Sequence, residues 1–212
     1  MALRNNLIHI SSVINKWDTK KGPSPLSKFL KMVHPEMDEA PLKYVDEHCF
    51  TYNVKKGTLL LREGEICEHL FLILKGAVRG YIRDENKEII TWITLENEMV
   101  TSIRGMYKQE PSLEYIEAIE DCELVGATFQ DLHYLYDNFK DMNIAGRRLL
   151  EKYCMDADAR AEIGRLSNAT TRYKRFLETQ SQLANRVPLT YIASYLGITL
   201  ETLSRIRNKM AK

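Results

Sequence analysis

Between His48 and Thr128 the chain changes texture every few residues, and no stretch holds a helical period for long. Short pieces rich in β-branched and aromatic residues follow one another: CFTYNVKKG, TLLLREGE, HLFLILKG, AVRGYIRDENK, EIITWITLENE and EYIEAIEDCELVGAT. Gly57, Gly64 and Gly76 stand where one strand hands over to the next, and Asp84, Glu85 and Asn86 read as a hairpin tip. Short strands at this regular spacing predict a small antiparallel sandwich or barrel.

Helical patterns flank this region. LRNNLIHISSVINKW carries Leu3, Leu7, Ile10 and Ile14 at three- and four-residue spacing, which predicts an amphipathic helix closed by the breaker run DTKKGPSP. A second short helix fits LSKFLKMVHPEM, with Pro35 marking its end. After Phe129 the strand signals stop. FQDLHYLYDNF and DMNIAGRRLLEKYCMDADARAEIGRL contain no proline and read as one or two helices. The longer one places Met142, Leu149, Tyr153 and Ile163 near one stripe, with Ala145, Ala157 and Ala161 beside it. Mixed small and large apolar residues suit helix–helix packing, against a second subunit or against the chain's own domain.

Composition narrows the function classes. No apolar run approaches the ~20 residues that cross a bilayer, and the N-terminus lacks a signal-peptide pattern, so the cytoplasm is expected and a membrane partner is not. Cys49, Cys67, Cys122 and Cys154 form no C-x-x-C pair, and the five histidines show no metal-binding spacing, so neither a metal nor a cofactor is expected. The net charge of +1 hides a segregation. Residues 160–212 hold ten Lys/Arg against three Asp/Glu, a net of +7, which leaves −6 on residues 1–159. A basic end on an acidic body points to an anionic partner for the C-terminal part.

That part carries the sharpest motif. Asn168 reads as the N-cap of ATTRYKRFLETQ, and the polar SQLANRV with Pro188 separates this helix from the last unit. Thr190 is expected to cap YIASYL, Gly197 to end it, and Thr199 to cap LETLSRIRNKM. Ile192, Leu196, Ile198, Leu203 and Ile206 would share one seam, with Ala193 as the small residue at the crossing. Two short helices joined by a glycine turn make a helix-turn-helix. Its outer face presents Glu201, Thr202, Arg205 and Lys209. Glu201 and Arg205 lie one turn apart, so they can form a helix-stabilising ion pair. They can also read bases, Arg on guanine and Glu on the cytosine amino group. Arg172, Lys174, Arg175, Arg186, Arg207 and Lys209 are candidate phosphate contacts, with Thr190, Thr199 and Ser204 as hydroxyl donors beside them.

At these residues the chain resembles the cyclic-AMP receptor protein/FNR (Crp/Fnr) family of bacterial transcription regulators. KKGTLLLREGEICEHLFLILKGAVRGYI resembles the first half of the family's cyclic-nucleotide-binding β-roll, and YIASYLGITLETLSRIR resembles its helix-turn-helix. RYKRFL and RVP resemble the segment between them, and the similarity runs from about Leu30 to the end. It implies an α+β chain with an N-terminal antiparallel β-roll (a jelly roll like the cyclic-nucleotide-binding domain), a long dimerisation helix and a C-terminal helix-turn-helix of winged-helix type. The corresponding segments are an N-terminal helical extension at 1–27, a sensor roll at 28–137, the dimerisation helix at 138–167 and the DNA-binding domain at 168–212. It further implies a homodimer on a two-fold symmetric duplex, with Met142, Leu149, Tyr153 and Ile163 at the subunit interface and RNA polymerase as a further partner.

The family's E-x-x-x-R is supplied by Glu201 and Arg205, preceded by Leu200 where the cyclic-AMP receptor often has Arg. Leu200 and Thr202 complete the expected base-contacting set. In the roll, the family's Gly-Glu pair falls on Thr101 and Ser102, and its phosphate-binding Arg-Ser pair on Ser112 and Leu113. Glu110, Glu114 and Glu117 surround that place and Arg104 is the nearby cation, so a cyclic phosphate would meet negative charge. No cysteine precedes Cys49 to hold an iron–sulfur cluster of the FNR kind; His69 and His133 are the haem-ligand candidates. Many relatives continue into a wing, whereas this sequence stops three residues after Lys209. The expectation is a non-enzymatic regulator whose effector is unknown and is not cyclic AMP. The alternative is a small-molecule-binding roll whose basic C-terminal domain docks a protein. A cupin-like enzyme would need clustered ligands that the strands HLFLILKG and EIITWITLENE do not offer.

Overall fold

The computed structural model describes residues 14–210. They fall into two compact units: residues up to Gly80 with Ile93–Arg148, and Tyr81–Trp92 with the chain from Leu149 onward.

The first unit holds most of the strand-rich segment, with Tyr81–Trp92 in the second, and that segment folds as the glycine rhythm requires. Nine strands are described: β1 Asn15–Lys16, β2 Phe50–Val54, β3 Leu59–Leu61, β4 His69–Lys75, β5 Val78–Asp84, β6 Lys87–Thr94, β7 Met99–Val100, β8 Tyr115–Ala118 and β9 Cys122–Thr128. They form two sheets, in the orders β1-β2-β9-β4-β7 and β3-β8-β5-β6. In the larger sheet β9 lies antiparallel to both β2 (Tyr52↔Leu124) and β4 (Leu72↔Val125). Phe71, Leu72, Ile73, Leu124 and Val125 are buried there. Gly57, Gly64 and Gly76 all take positive φ at their turns. Gly126 is required for a different reason: a Cβ there would stand 2.8 Å from the Phe50 ring and 2.9 Å from the Leu70 carbonyl oxygen.

The helices of this unit begin with α1 (Pro25–Val33), whose N-cap Ser24 accepts from the Ser27 amide and whose end precedes Pro35 as expected. The segment up to Trp17 departs from expectation. Most of its amphipathic helix falls on residues outside those described, but Asn15 and Lys16 are strand, paired with Thr51 and Phe50. The free edge of β2 offers them backbone partners that outweigh the helical period, and Trp17 continues the pairing by donating to the Cys49 carbonyl at 3.0 Å. Helix α2 (Glu39–His48) has no counterpart in the sequence reading. Pro41 hides it, yet proline is tolerated in a first turn, and Leu42 and Val45 are buried below it. Helix α3 (Ile103–Lys108) was also not signalled, and α4 (Phe129–Asn138) opens on a capping box between Thr128 and Asp131.

The 26-residue helix α5 (Lys140–Arg165) leads into the second unit. There α6 (Ala169–Thr179), α7 (Ser181–Ala184), α8 (Leu189–Tyr195) and α9 (Leu200–Met210) follow. Their shared core holds Tyr173, Phe176, Leu183, Ile192, Leu196 and Leu203. Helix α7 replaces the expected polar connector, because Leu183 and Ala184 within it are buried.

Candidate nucleic-acid interface and sensor pocket

Helix α6 starts at Asn168, whose side chain accepts from the amides of Thr170 and Thr171, as the sequence indicates. Helix α8 starts two residues earlier than expected. Pro188 is its N-cap with no side-chain bond, and Thr190 lies inside the first turn, exposed. The α8 end is a Schellman turn: Gly197 N–H donates to the Ser194 carbonyl and Ile198 N–H to that of Ala193, both at 3.0 Å. Gly197 takes φ +64, a left-handed conformation that costs other residues. Thr199 then caps α9 by accepting from the Thr202 amide at 3.2 Å. Ile192, Ala193, Leu196, Leu203 and Ile206 are buried between the helices, so the expected seam forms, with Ile198 half-buried.

This packing turns one face of α9 outward. Leu200, Glu201, Arg205 and Lys209 are exposed, with Thr202, Ser204 and Arg207 half-buried beside them. Arg205 Nη2 donates to Thr202 Oγ1 at 3.3 Å. The Glu201 carboxyl is held below its usual range by its own backbone N–H, then by the Thr199 hydroxyl, and least by the charge of Arg205. The charge of Arg205 is therefore a minor influence on the Glu201 carboxyl. The result is an ionised acceptor and a cationic donor one turn apart, both exposed.

The cations behind this face divide. Lys209, Lys174 and Arg186 are exposed and Arg207 is half-buried. Arg175 instead pairs with Glu178 at 3.2 Å and with Glu162 at 3.6 Å, which raises its guanidinium further above its usual value, chiefly through Glu178. Arg172 is turned inward. Its Nε donates to the Leu166 carbonyl at 2.5 Å, and its Nη1 to those of Leu196 at 3.0 Å and Gly197 at 3.4 Å. Those donors hold the end of α5 to the α8–α9 turn, a role that charge counting along the sequence does not reveal.

The stripe read for helix packing on α5 also divides. Met142 and Ile163 are each 3% exposed, buried by their own chain, while Leu149 and Tyr153 are half-buried. A different row faces outward: Leu150 at 51% exposed, then Cys154, Ala157 and Ala161. The sequence contained this second row, but the larger apolar residues of the first masked it.

In the roll the structure brings Ser102 and Ser112 together, each 1% exposed, with their hydroxyls 3.4 Å apart. Ser102 caps α3, and the Ser112 hydroxyl donates to the Glu114 carbonyl while accepting from its amide. The Thr101 hydroxyl donates to the His69 carbonyl at 3.1 Å and lies 3.2 Å from Cys67 Sγ. Arg104 and Leu113 are exposed, and Arg104 faces Glu110 at 3.4 Å. The buried cation is Arg79, absent from the sequence reading, whose Nε donates to Glu117 at 2.9 Å. His133 lies tilted against Phe129 with ring centroids 4.2 Å apart, and His69 packs edge-on to Phe50. Among the described residues no group of three or more His, Cys, Asp or Glu could hold a metal, and no helix is long and apolar enough to cross a membrane.

Known proteins share these features. Residues 52–139 match the cyclic nucleotide-binding domain family. The HTH-type transcriptional regulator ArcR of Staphylococcus epidermidis is 20% identical over 173 residues, 76% of this chain and 75% of its own. The transcriptional activator protein FnrA of Stutzerimonas stutzeri is 26% identical over 165 residues, 72% of this chain and 67% of its own. Two solved structures share the fold. FixK2 of Bradyrhizobium japonicum aligns with a TM-score of 0.65 at 20% identity, over 77% of this chain and 84% of its own. A protein of Eubacterium rectale assigned to the Crp/Fnr family aligns with a TM-score of 0.67 at 20% identity, over 84% and 85%. The chain thus matches the cyclic nucleotide-binding domain family over residues 52–139, shares the fold of a Crp/Fnr-family protein, and is similar to transcriptional regulators.

Proposed function

We propose that the protein is a cytoplasmic, sequence-specific DNA-binding regulator that acts as a homodimer on a two-fold symmetric site. The observation that carries this reading is the exposed face of α9, where Glu201 and Arg205 stand one turn apart on the basic end of the chain. Arg205 donates to a guanine edge, Glu201 accepts from a cytosine amino group, and Leu200 packs on a thymine methyl. Thr202 holds Arg205 and adds a hydroxyl to the same surface. Thr190, Thr199, Ser204, Arg186, Arg207 and Lys209 contact phosphates, which position the helix without reading sequence. The second copy packs along Leu150, Cys154, Ala157 and Ala161, whose alternating four- and three-residue spacing is that of a helix-pair seam. RNA polymerase is the further partner that a regulator of this family engages.

The effector is not cyclic AMP. The hydroxyls of Ser102 and Ser112 are engaged with each other and with backbone, Arg104 is turned to Glu110, and the buried Arg79 already faces a carboxylate. A cyclic phosphate placed there would gain no bidentate cation and would approach Glu117.

The test is selection of bound duplexes from a random pool at moderate salt, with and without cyclic AMP. A two-fold symmetric consensus enriched equally in both arms is expected. Arg205→Ala should then relax one base pair and lose about 1–3 kcal/mol there. Enrichment only with cyclic AMP would refute the effector assignment, and undiminished selectivity in Arg205→Ala would refute the reading residue. Leu150→Glu should shift the protein to monomer in sedimentation, whereas a dimer unaffected by it would place the seam elsewhere.

A further inference from the structure

Strand β6 stands at the edge of its sheet, so among the described residues one side of its backbone has no neighbouring strand. On a strand, the carbonyl of one residue and the amide two residues later point to the same side, where a neighbouring strand would meet both. Glu88 and Ile90 are such a pair, and a single side chain from α8 meets them. The Ser194 hydroxyl donates to the Glu88 carbonyl at 3.0 Å and accepts from the Ile90 amide at 3.1 Å. A hydroxyl has one proton to give and lone pairs to accept, so Ser194 takes the place of one ladder residue. Ile90 beside it is 4% exposed, and the hairpin residues Tyr81–Trp92 belong to the same compact unit as the helix-turn-helix. The contact leaves the reading face open: Leu200, Glu201, Arg205 and Lys209 stay exposed while it is closed.

We propose that Ser194 is a positioning residue for operator reading, a clasp that fixes α8, and through the shared seam α9, against the edge of β6. This rests on the DNA-binding homodimer proposed above. A freely pivoting helix-turn-helix can still meet one half-site. Two of them must meet two half-sites about one helical turn apart at once, so the orientation of each matters only for the complete site. The clasp therefore acts on spacing rather than on base preference.

The experiment compares full-length wild type, Ser194→Ala and Ser194→Thr on the selected duplex, on duplexes with one base pair added or removed between half-sites, and on a single half-site. Exchange of the Ile90 amide with solvent is followed in parallel. Loss of a hydrogen bond of ordinary net strength in each subunit corresponds to about threefold per subunit, or about tenfold for the complete site. Ser194→Ala should lose that factor on the selected duplex, change by less than about twofold on the single half-site, and discriminate less between spacings. Its Ile90 amide should exchange faster, and Ser194→Thr, which keeps the hydroxyl, should restore both properties. Equal losses on complete and single sites would make Ser194 a mere support of α8 and overturn the proposal. So would an unchanged spacing preference with wild-type binding intact. Wild type that binds no duplex at all would overturn the DNA-binding reading, and the role of Ser194 with it.

Discussion

Arg172→Ala separates two roles that the sequence leaves equivalent. In the structure the guanidinium bridges the carbonyls of Leu166, Leu196 and Gly197, joining the residue that follows α5 to the turn between α8 and α9. A hydrogen bond from a charged group contributes about 1.5–3 kcal/mol net, and the longest of the three is at the margin of useful geometry. The side chain is half-buried, so water re-solvates part of what is lost, and the expected destabilisation is about 2–3 kcal/mol. At about 4–8 °C per kcal/mol for a unit of this size, the helix-turn-helix should melt roughly 10–20 °C lower. Because the chain holds two units, hydrogen exchange of α8 and α9 amides is the appropriate local readout beside thermal melting. Arg172→Lys should recover only part of the loss, since one ammonium cannot span three carbonyls in fixed directions. The salt dependence of DNA binding, measured where the variant remains folded, should keep the wild-type slope. A stability change below about 0.5 kcal/mol, with a slope reduced by about one, would refute the bridge and return Arg172 to the phosphate contacts.

Other perturbations test the frame around the site. Gly197→Ala should cost about 1–2 kcal/mol in urea unfolding, because φ is +64 and the new Cβ would stand 3.3 Å from the Arg172 guanidinium. Gly126→Ala should cost about 3 kcal/mol, near the upper end for overpacking: the Phe50 ring could shift, but the Leu70 carbonyl belongs to the backbone of β4. Burial lowers the His69 imidazole from its ordinary value of about 6.5. The unfolded chain therefore takes up the proton first as pH falls, so stability should be full above about pH 7 and decline below about 6.5. His69→Gln should remove that part of the decline in pH-dependent unfolding, and an unchanged profile would assign it to other groups.

What the sequence makes legible follows from how local each determinant is. The roll and the helix-turn-helix are written in short-range signals: glycines at positive φ between β-rich pieces, Asn168 and Thr199 at helix starts, and Gly197 in a Schellman turn. Helix α2 was hidden because Pro41 reads as a breaker until its place in the first turn is known. Helix α3 is too short for a period to be recognised. Asn15 and Lys16 are strand because of an edge contributed by Phe50 and Thr51, more than thirty residues away in the sequence. Thr190 looks like a cap by residue type, but the α8 start falls on Pro188, where φ is already preset for a turn.

The same distinction explains the site. Base-reading candidates are visible because an amphipathic helix must turn its polar residues outward, and α9 does so. Which cation is left exposed and unengaged by the chain's own groups is less visible. Arg172 and Arg175 carry the same charge as Lys209, yet one is directed to carbonyls contributed by α8 and its turn and the other to two carboxylates. Size misleads in the same way along α5. Met142 and Ile163 look like the strongest interface residues, and their bulk is the reason that their own chain buries them. The row left outside is Leu150 followed by Cys154, Ala157 and Ala161, small enough for a second helix to approach closely. On such a helix the residues that best fill a core are taken by the core, and the face left exposed is the one with less to bury.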